Sequence, residues 1–127
     1  SRVFRQPLDG GARTVAYDFG AGHIVRDAQV VGSRLVAVID GSVLYQFEAP
    51  HGFVQRDEGG ELAIVDLGSS TMQLFTLPST LFRRPAIAPD GAHFVVEASP
   101  RVPVHVAAQS DFTAINHRPD LWLFDLP

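Results

Sequence analysis

The chain has no cysteine and no lysine, one methionine and one tryptophan. Without cysteine there is no disulfide framework, no thiolate metal site and no cysteine nucleophile, and the redox compartment is left open. All ten basic residues are arginines, as a GC-rich coding genome would produce, and 14 Asp and Glu outweigh them to give a net charge of −4. That balance argues against a nucleic-acid module, which draws on a concentrated basic face. Uncharged apolar runs reach about six residues, against the roughly 20 that a bilayer-spanning helix requires, so no membrane span is expected. A basic segment followed by an apolar leader core is also lacking, and the chain opens at Ser1. A processed leader, an expression boundary or an unseen upstream segment is therefore expected before it.

What is present is the balance of one folded domain, with 46% hydrophobic and 19% charged residues in 127. Within it runs a period. Val3-Phe4-Arg5-Gln6-Pro7-Leu8, Leu62-Ala63-Ile64-Val65-Asp66-Leu67 and Leu121-Trp122-Leu123-Phe124-Asp125-Leu126 stand 59 residues apart, and the last two share their closing Asp-Leu. Repetition at this scale marks a propeller or solenoid, whose units are stable only when stacked. The stretch from Arg26 to Val38 aligns with that from Arg84 to Val96, one residue being gained before the glycine of the turn. Pro89-Asp90-Gly91 is a strong turn signal in the second copy and Gly32-Ser33 takes its place in the first. The strands that follow, Leu35 to Ile39 and Phe94 to Val96, are continuously apolar, as suits strands covered on both faces. Further hairpins are expected from Ala12 to Phe19 after Gly10-Gly11, and from Thr71 to Leu77 after Gly68-Ser69-Ser70. At most a turn of helix is allowed within Val104 to Ala108.

The chain thus reads as all-β: antiparallel four-stranded β-propeller blades forming a partial propeller of about two to three blades. Residues 1–22 supply the outer hairpin of one blade, 23–78 a complete blade and 79–127 an incomplete one. A four-stranded repeat takes about 40 to 50 residues, so excess length falls in two long loops between second and third strands, Glu48 to Gly60 and Ser99 to Pro119. Equivalent loops emerge on one face and often carry binding.

At these residues the chain resembles the TolB-type WD40-like β-propeller repeat family. Pro85-Ala86-Ile87-Ala88-Pro89-Asp90-Gly91, then Phe94-Val95-Val96, then Asp120-Leu121-Trp122-Leu123-Phe124-Asp125-Leu126 is similar to that family's blade signature, and Arg5 to Gly11 resembles its outer hairpin. The middle copy departs from the signature, with Val31-Gly32-Ser33 in place of Pro-Asp-Gly. Family members include periplasmic protein-binding accessory proteins and the propeller halves of prolyl-oligopeptidase-like peptidases. The resemblance therefore implies a bacterial protein in the periplasm or another extracytoplasmic compartment, and it supplies no catalytic residue.

No Gly-x-Ser-x-Gly elbow occurs, and Ser33 and Ser42 read as turn residues. His23, His51, His93, His105 and His117 include no close ligand pair, so neither a metal nor a cofactor is expected. His51, His105 and His117 are placed to converge across the two long loops. Phe4, Phe94, Trp122 and Phe124 are expected to pack between blades, whereas the loop aromatics Phe53 and Phe112 either tuck under their loops or meet a partner. Blade geometry puts His23, Arg26, Arg83 and Arg84 on the long-loop face, with Arg56 and Arg118 on the loops themselves, opposite acidic Asp57 and Glu58. The protein-binding candidates are thus eleven positions: His23, Arg26, His51, Phe53, Arg56, Arg83, Arg84, His105, Phe112, His117 and Arg118.

The function expected is a non-catalytic interaction module that binds protein through its long-loop face. One alternative is a propeller segment of a prolyl-oligopeptidase-like serine peptidase with its catalytic domain elsewhere, and another is a small-ligand sensor. Two units and a hairpin cannot close a ring, so the remaining blades of a longer polypeptide, neighbouring copies in a homo-oligomer or subunits of a larger complex are expected to cover the bare faces.

Overall fold

Glycine-centred turns and apolar runs divide the chain into strands. The computed structural model describes residues 1–48, 52–78, 80–100 and 120–127, with 42–48, 52–58 and 100 described as backbone only. Among the described residues there are nine strands and no helix: β1 (Arg2–Arg5), β2 (Thr14–Asp18), β3 (Val25–Val31), β4 (Arg34–Glu48), β5 (Gly52–Asp66), β6 (Thr71–Phe75), β7 (Thr80–Ile87), β8 (His93–Pro100) and β9 (Asp120–Asp125). β1 and β2 form a hairpin, β3 to β6 an antiparallel meander, and β7 to β9 a second meander. A single backbone pairing, Gly60 with Phe82, joins the two meanders. The architecture is all-β and antiparallel, and the described residues form no closed ring.

Burial explains the apolar run in β4. Leu35, Val36, Ala37, Val38 and Ile39 are all at most 1% exposed. Since successive strand residues point to opposite faces, Leu35, Ala37 and Ile39 enter one core and Val36 and Val38 another. β5 divides likewise, with Ala63 and Val65 on the first side and Leu62 on the second. The first core is closed by Phe19, with Val3 and Tyr17 of the β1–β2 hairpin packed against it. The second is closed by Phe82, Ile87, Phe94 and Val96 of the other meander. Full burial of a Leu or Ile contributes about 2 kcal/mol relative to exposure, so strands with two apolar faces draw stability from both neighbours.

Aromatic rings fill the second core. Phe94 and Phe124 stack at 4.9 Å, while Phe75 meets Phe124 edge-on at 5.2 Å and Trp122 meets Phe82 edge-on at 5.8 Å. Trp122, Phe124 and Phe94 thus pack between sheets as their sequence context suggests. Phe4 does not: it is 44% exposed, with the Arg13 guanidinium 4.3 Å above its ring. The Phe94 to Val96 run is also covered on one face only, because Phe94 and Val96 are buried while Val95 is exposed. No sheet lies on the outer side of the β7–β9 meander among the described residues.

The expected loop from Glu48 to Gly60 is instead largely strand. β4 continues to Glu48 and β5 begins at Gly52, paired through Val43↔Asp57, Tyr45↔Gln55 and Phe47↔Phe53. Alternating Val, Tyr and Phe have strong strand preference, and this outweighs the loop signal of Asp57-Glu58-Gly59-Gly60. The glycines mark a bulge, where the register shifts between Ile39 and Val43. At that bulge a Gly60 side chain would overlap the Ile39 carbonyl oxygen, and one on Gly59, whose φ is +95°, would overlap the Phe82 carbonyl oxygen. The expected loop from Ser99 to Pro119 also begins as strand, since β8 runs to Pro100; its remainder, including Val104 to Ala108, lies outside the described residues.

Backbone crowding at this seam makes a test. Gly59→Ala is expected to lower unfolding stability by about 3 kcal/mol, from left-handed backbone strain and overpacking together. Gly22→Ala, where nothing lies within 4 Å, is expected to change it by less than about 0.5 kcal/mol in the same urea titration.

Candidate functional site

The meanders have two dissimilar edges. One carries the tight turns, where equivalent backbone bonds recur: Leu67 N–H donates to Ser33 O at 2.8 Å and Leu126 N–H to Ala92 O at 2.8 Å. The repeated Asp-Leu is thereby explained, its leucine N–H tying the third strand of each unit to the preceding turn. The repeated aspartates also act alike. Asp66 pairs with Arg34 at 3.3 Å and Asp125 with His93 at 3.4 Å, each directly across its strand pair. Asp66 additionally accepts the Ser69 and Gly68 N–H groups, and those bonds, Ser69's foremost, hold its carboxyl below the ordinary range.

The opposite edge holds the candidate residues. There the β4–β5 hairpin runs on beyond Gly41 and Gly59 as a two-stranded arm. The β2–β3 connection arrives beside it: His23 Nδ1 lies 2.6 Å from Asp40 Oδ2, and the Ile24 N–H donates to Asp40 Oδ1 at 3.0 Å. The Ser1 amine donates to Gly20 O and His23 O, and the Ser1 hydroxyl accepts the Val25 N–H. Arg26 donates to Gly41 O at 3.4 Å. Across the glycine seam, Glu97 takes Arg84 at 3.0 Å and Arg83 at 3.6 Å. Arg84 is exposed and holds a φ of +51°. An open cleft of about 270 Å3 lies beside the seam, between Asp40, Gly60 and Glu61 on one side and Leu77, Thr80 and Leu81 on the other.

His23, Arg26, Arg83 and Arg84 therefore share one edge, and Phe53 and Arg56 fall on the arm, opposite Phe47 and Leu44 in register. His51, His105, Phe112, His117 and Arg118 lie outside the described residues. Three of the rim's described side chains already have acidic partners, and the side chains of Asp57 and Glu58 lie outside those described. His23 is held by Asp40, and Arg83 and Arg84 by Glu97, two acids that sequence reasoning did not single out. The period did carry a signal for one of them, because it sets Glu97 where the first unit has buried Val38. A charge at a core position of a repeat asks for a partner. Among the described residues, no three or more histidines and acids are grouped as a metal ion requires.

The chain matches no family model, no curated protein and no solved structure. What the rim can do rests on its own geometry: charged pairs anchored at the foot of a projecting arm, beside an open polar cleft. Such a surface offers hydrogen-bonding groups already fixed in place, which lowers the ordering cost of a contact.

Asp40 gives this rim a pH dependence. Partial burial raises its carboxyl pKa, but the His23 hydrogen bond, the Ile24 N–H and the nearby imidazole charge outweigh it, leaving the group below its ordinary 3.8. A carboxyl with a lowered folded pKa stabilises fully above its unfolded value and loses that contribution as pH falls through the folded one. Asp40→Asn keeps a side chain tolerant of the φ of +55° at this position. It is expected to cost about 1 kcal/mol near neutral pH, with the variant and parent melting curves converging below pH 3.8, where the parent carboxyl also protonates.

Proposed function

We propose that the chain is a non-catalytic interaction module of stacked β-propeller-type blades, of the TolB-like WD40 kind, that binds another protein through its arm edge. In this reading β3 to β6 form a complete blade, β1–β2 the outer hairpin of the preceding one and β7 to β9 three strands of the next. The 59-residue period and the recurrence of the Arg34–Asp66 pair as His93–Asp125 support it.

The arm is the observation that carries the binding role. β4 and β5 each have 15 residues, whereas β3 and β6 have 7 and 5, so the hairpin projects beyond the sheet that supports it. Among the described residues its backbone pairs with no third strand beyond the seam, and the sequence pattern puts the second long segment, Ser99 to Pro119, at the equivalent point of the next unit. Two such segments at equivalent points of successive units, with the anchored charges at the foot of the first, would suit a protein partner. As a periplasmic or other extracytoplasmic protein, the module would act as a subunit of a larger complex.

A photo-crosslinking side chain placed at position 45 or 84 tests the reading in extract of the source cells, against the same group at position 10 or 69 on the turn edge. Discrete adducts are expected from the arm edge, and replacing residues 43–57 with an Asn-Gly turn should abolish them while the melting temperature stays within a few degrees. Equal labelling from both edges, or adducts that survive removal of the arm, would exclude arm-edge binding.

A further inference from the structure

Among the described residues nothing covers the outer face of the β7–β9 sheet, whose centre is apolar. Leu121 is 74% exposed, Leu123 67% and Val95 37%, and Val95 and Leu123 are direct cross-strand partners. The period identifies their counterparts one unit earlier as Leu62, Ile64 and Val36. Those three face the second core, where Leu62 and Val36 are fully buried and Ile64 packs against them. The same positions thus form a sheet-to-sheet interface once within the chain and lie open the second time.

A surface of matching kind occurs at the other end. The β1–β2 hairpin turns Val3, Tyr17 and Phe19 toward β4 and β5, and presents Phe4 and Val15, paired across its strands, on its free side at 44% and 49% exposure. Arg13 covers the Phe4 ring there. At the turn end of the β9 face stands an acid, Asp125, whose side chain is 90% exposed beside His93, and Arg13 lies in the β1–β2 connection at the turn end of the hairpin. Within the chain, a two-stranded hairpin already suffices to close the core formed by Leu35, Ala37, Ile39, Ala63 and Val65.

We propose that the Val95, Leu121 and Leu123 face docks the Phe4 and Val15 face of the β1–β2 hairpin of a second copy of this chain, head to tail, with Arg13 set against Asp125. The docking continues the stacking already present between the hairpin and the first meander and between the two meanders. It rests on that stacking and not on the arm. The contact is heterologous, so each copy offers one donor and one acceptor face, and successive copies add until a ring closes or a filament extends.

Sedimentation velocity on the full chain over a range of concentrations tests this. The parent protein is expected to associate with rising concentration. Phe4→Asp and Leu123→Asp are each expected to be monomeric, with melting temperatures close to the parent's because both side chains are exposed. Mixed together, they should form a one-to-one dimer and nothing larger, since one supplies the intact β9 face and the other the intact hairpin. As a second measure that leaves the apolar residues in place, Arg13→Glu and Asp125→Arg should each weaken association about tenfold, and combining them in one chain should restore it. A parent protein that stays monomeric overturns the proposal, as does self-association of Phe4→Asp alone, which would mean β9 faces meeting each other. The variant with residues 43–57 replaced is expected to associate like the parent, so loss of arm binding and loss of docking are separately visible.

Discussion

The structure depends on β4 and β5 being apolar on both faces. Five consecutive residues of β4 are buried, which requires a sheet on each side of them, and the β1–β2 hairpin and the β7–β9 meander fill those two places. Neither neighbour would have an apolar surface to close without this shared layer. A sheet covered on one face would have alternating polar residues along its strands; here alternation is replaced by partition between two cores. Stability is therefore a property of adjacent layers, as in proteins built by stacking.

The glycine seam makes that stacking compatible with a long hairpin. The β4–β5 strands must leave the sheet just where β7 crosses them, and only positions without a Cβ allow the Gly59 and Gly60 backbone to pass the Phe82 and Ile39 carbonyls. The same spot joins the two meanders through Gly60 and Phe82. Anchoring contacts gather around it, the hydrogen bond of His23 with Asp40 on one side and the ion pair of Arg84 with Glu97 on the other. The crowding that fixes the fold thus also fixes the foot of the arm.

Much of this was legible in the sequence because its signals are local. Gly32-Ser33, Gly68-Ser69-Ser70 and Pro89-Asp90-Gly91 each sit between strands, and the run from Leu35 to Ile39 announced burial on both faces. The arm was misread for the same reason: Asp57-Glu58-Gly59-Gly60 has the composition of a loop, and a strand of 15 residues lies beyond the usual range of 3 to 10. Its strand character comes from pairing with Val43 to Glu48, which composition does not display. At the candidate site, the common edge of His23, Arg26, Arg83 and Arg84 followed from strand order alone. Their partners did not, because placing Asp40 beside His23 or Glu97 beside Arg84 requires the register across bulges at Ile39/Ser42 and Arg83/Ala86.

Two-sided burial has a consequence for how the chain finds its pairing. In a strand with one wet face, a slip by one residue drives polar side chains inward and is rejected by desolvation. A one-residue slip of β4 would only exchange Leu35, Ala37 and Ile39 for Val36 and Val38 between two oily layers, so hydrophobic pattern gives weak error correction. Proofreading falls to the strand ends: the Gly32 turn and the Arg34–Asp66 pair at one end, and the Gly41, Gly59 and Gly60 bulge at the other. The few polar and glycine residues at the margins of the central sheet, and not the mass of its core, select the one register in which the chain folds.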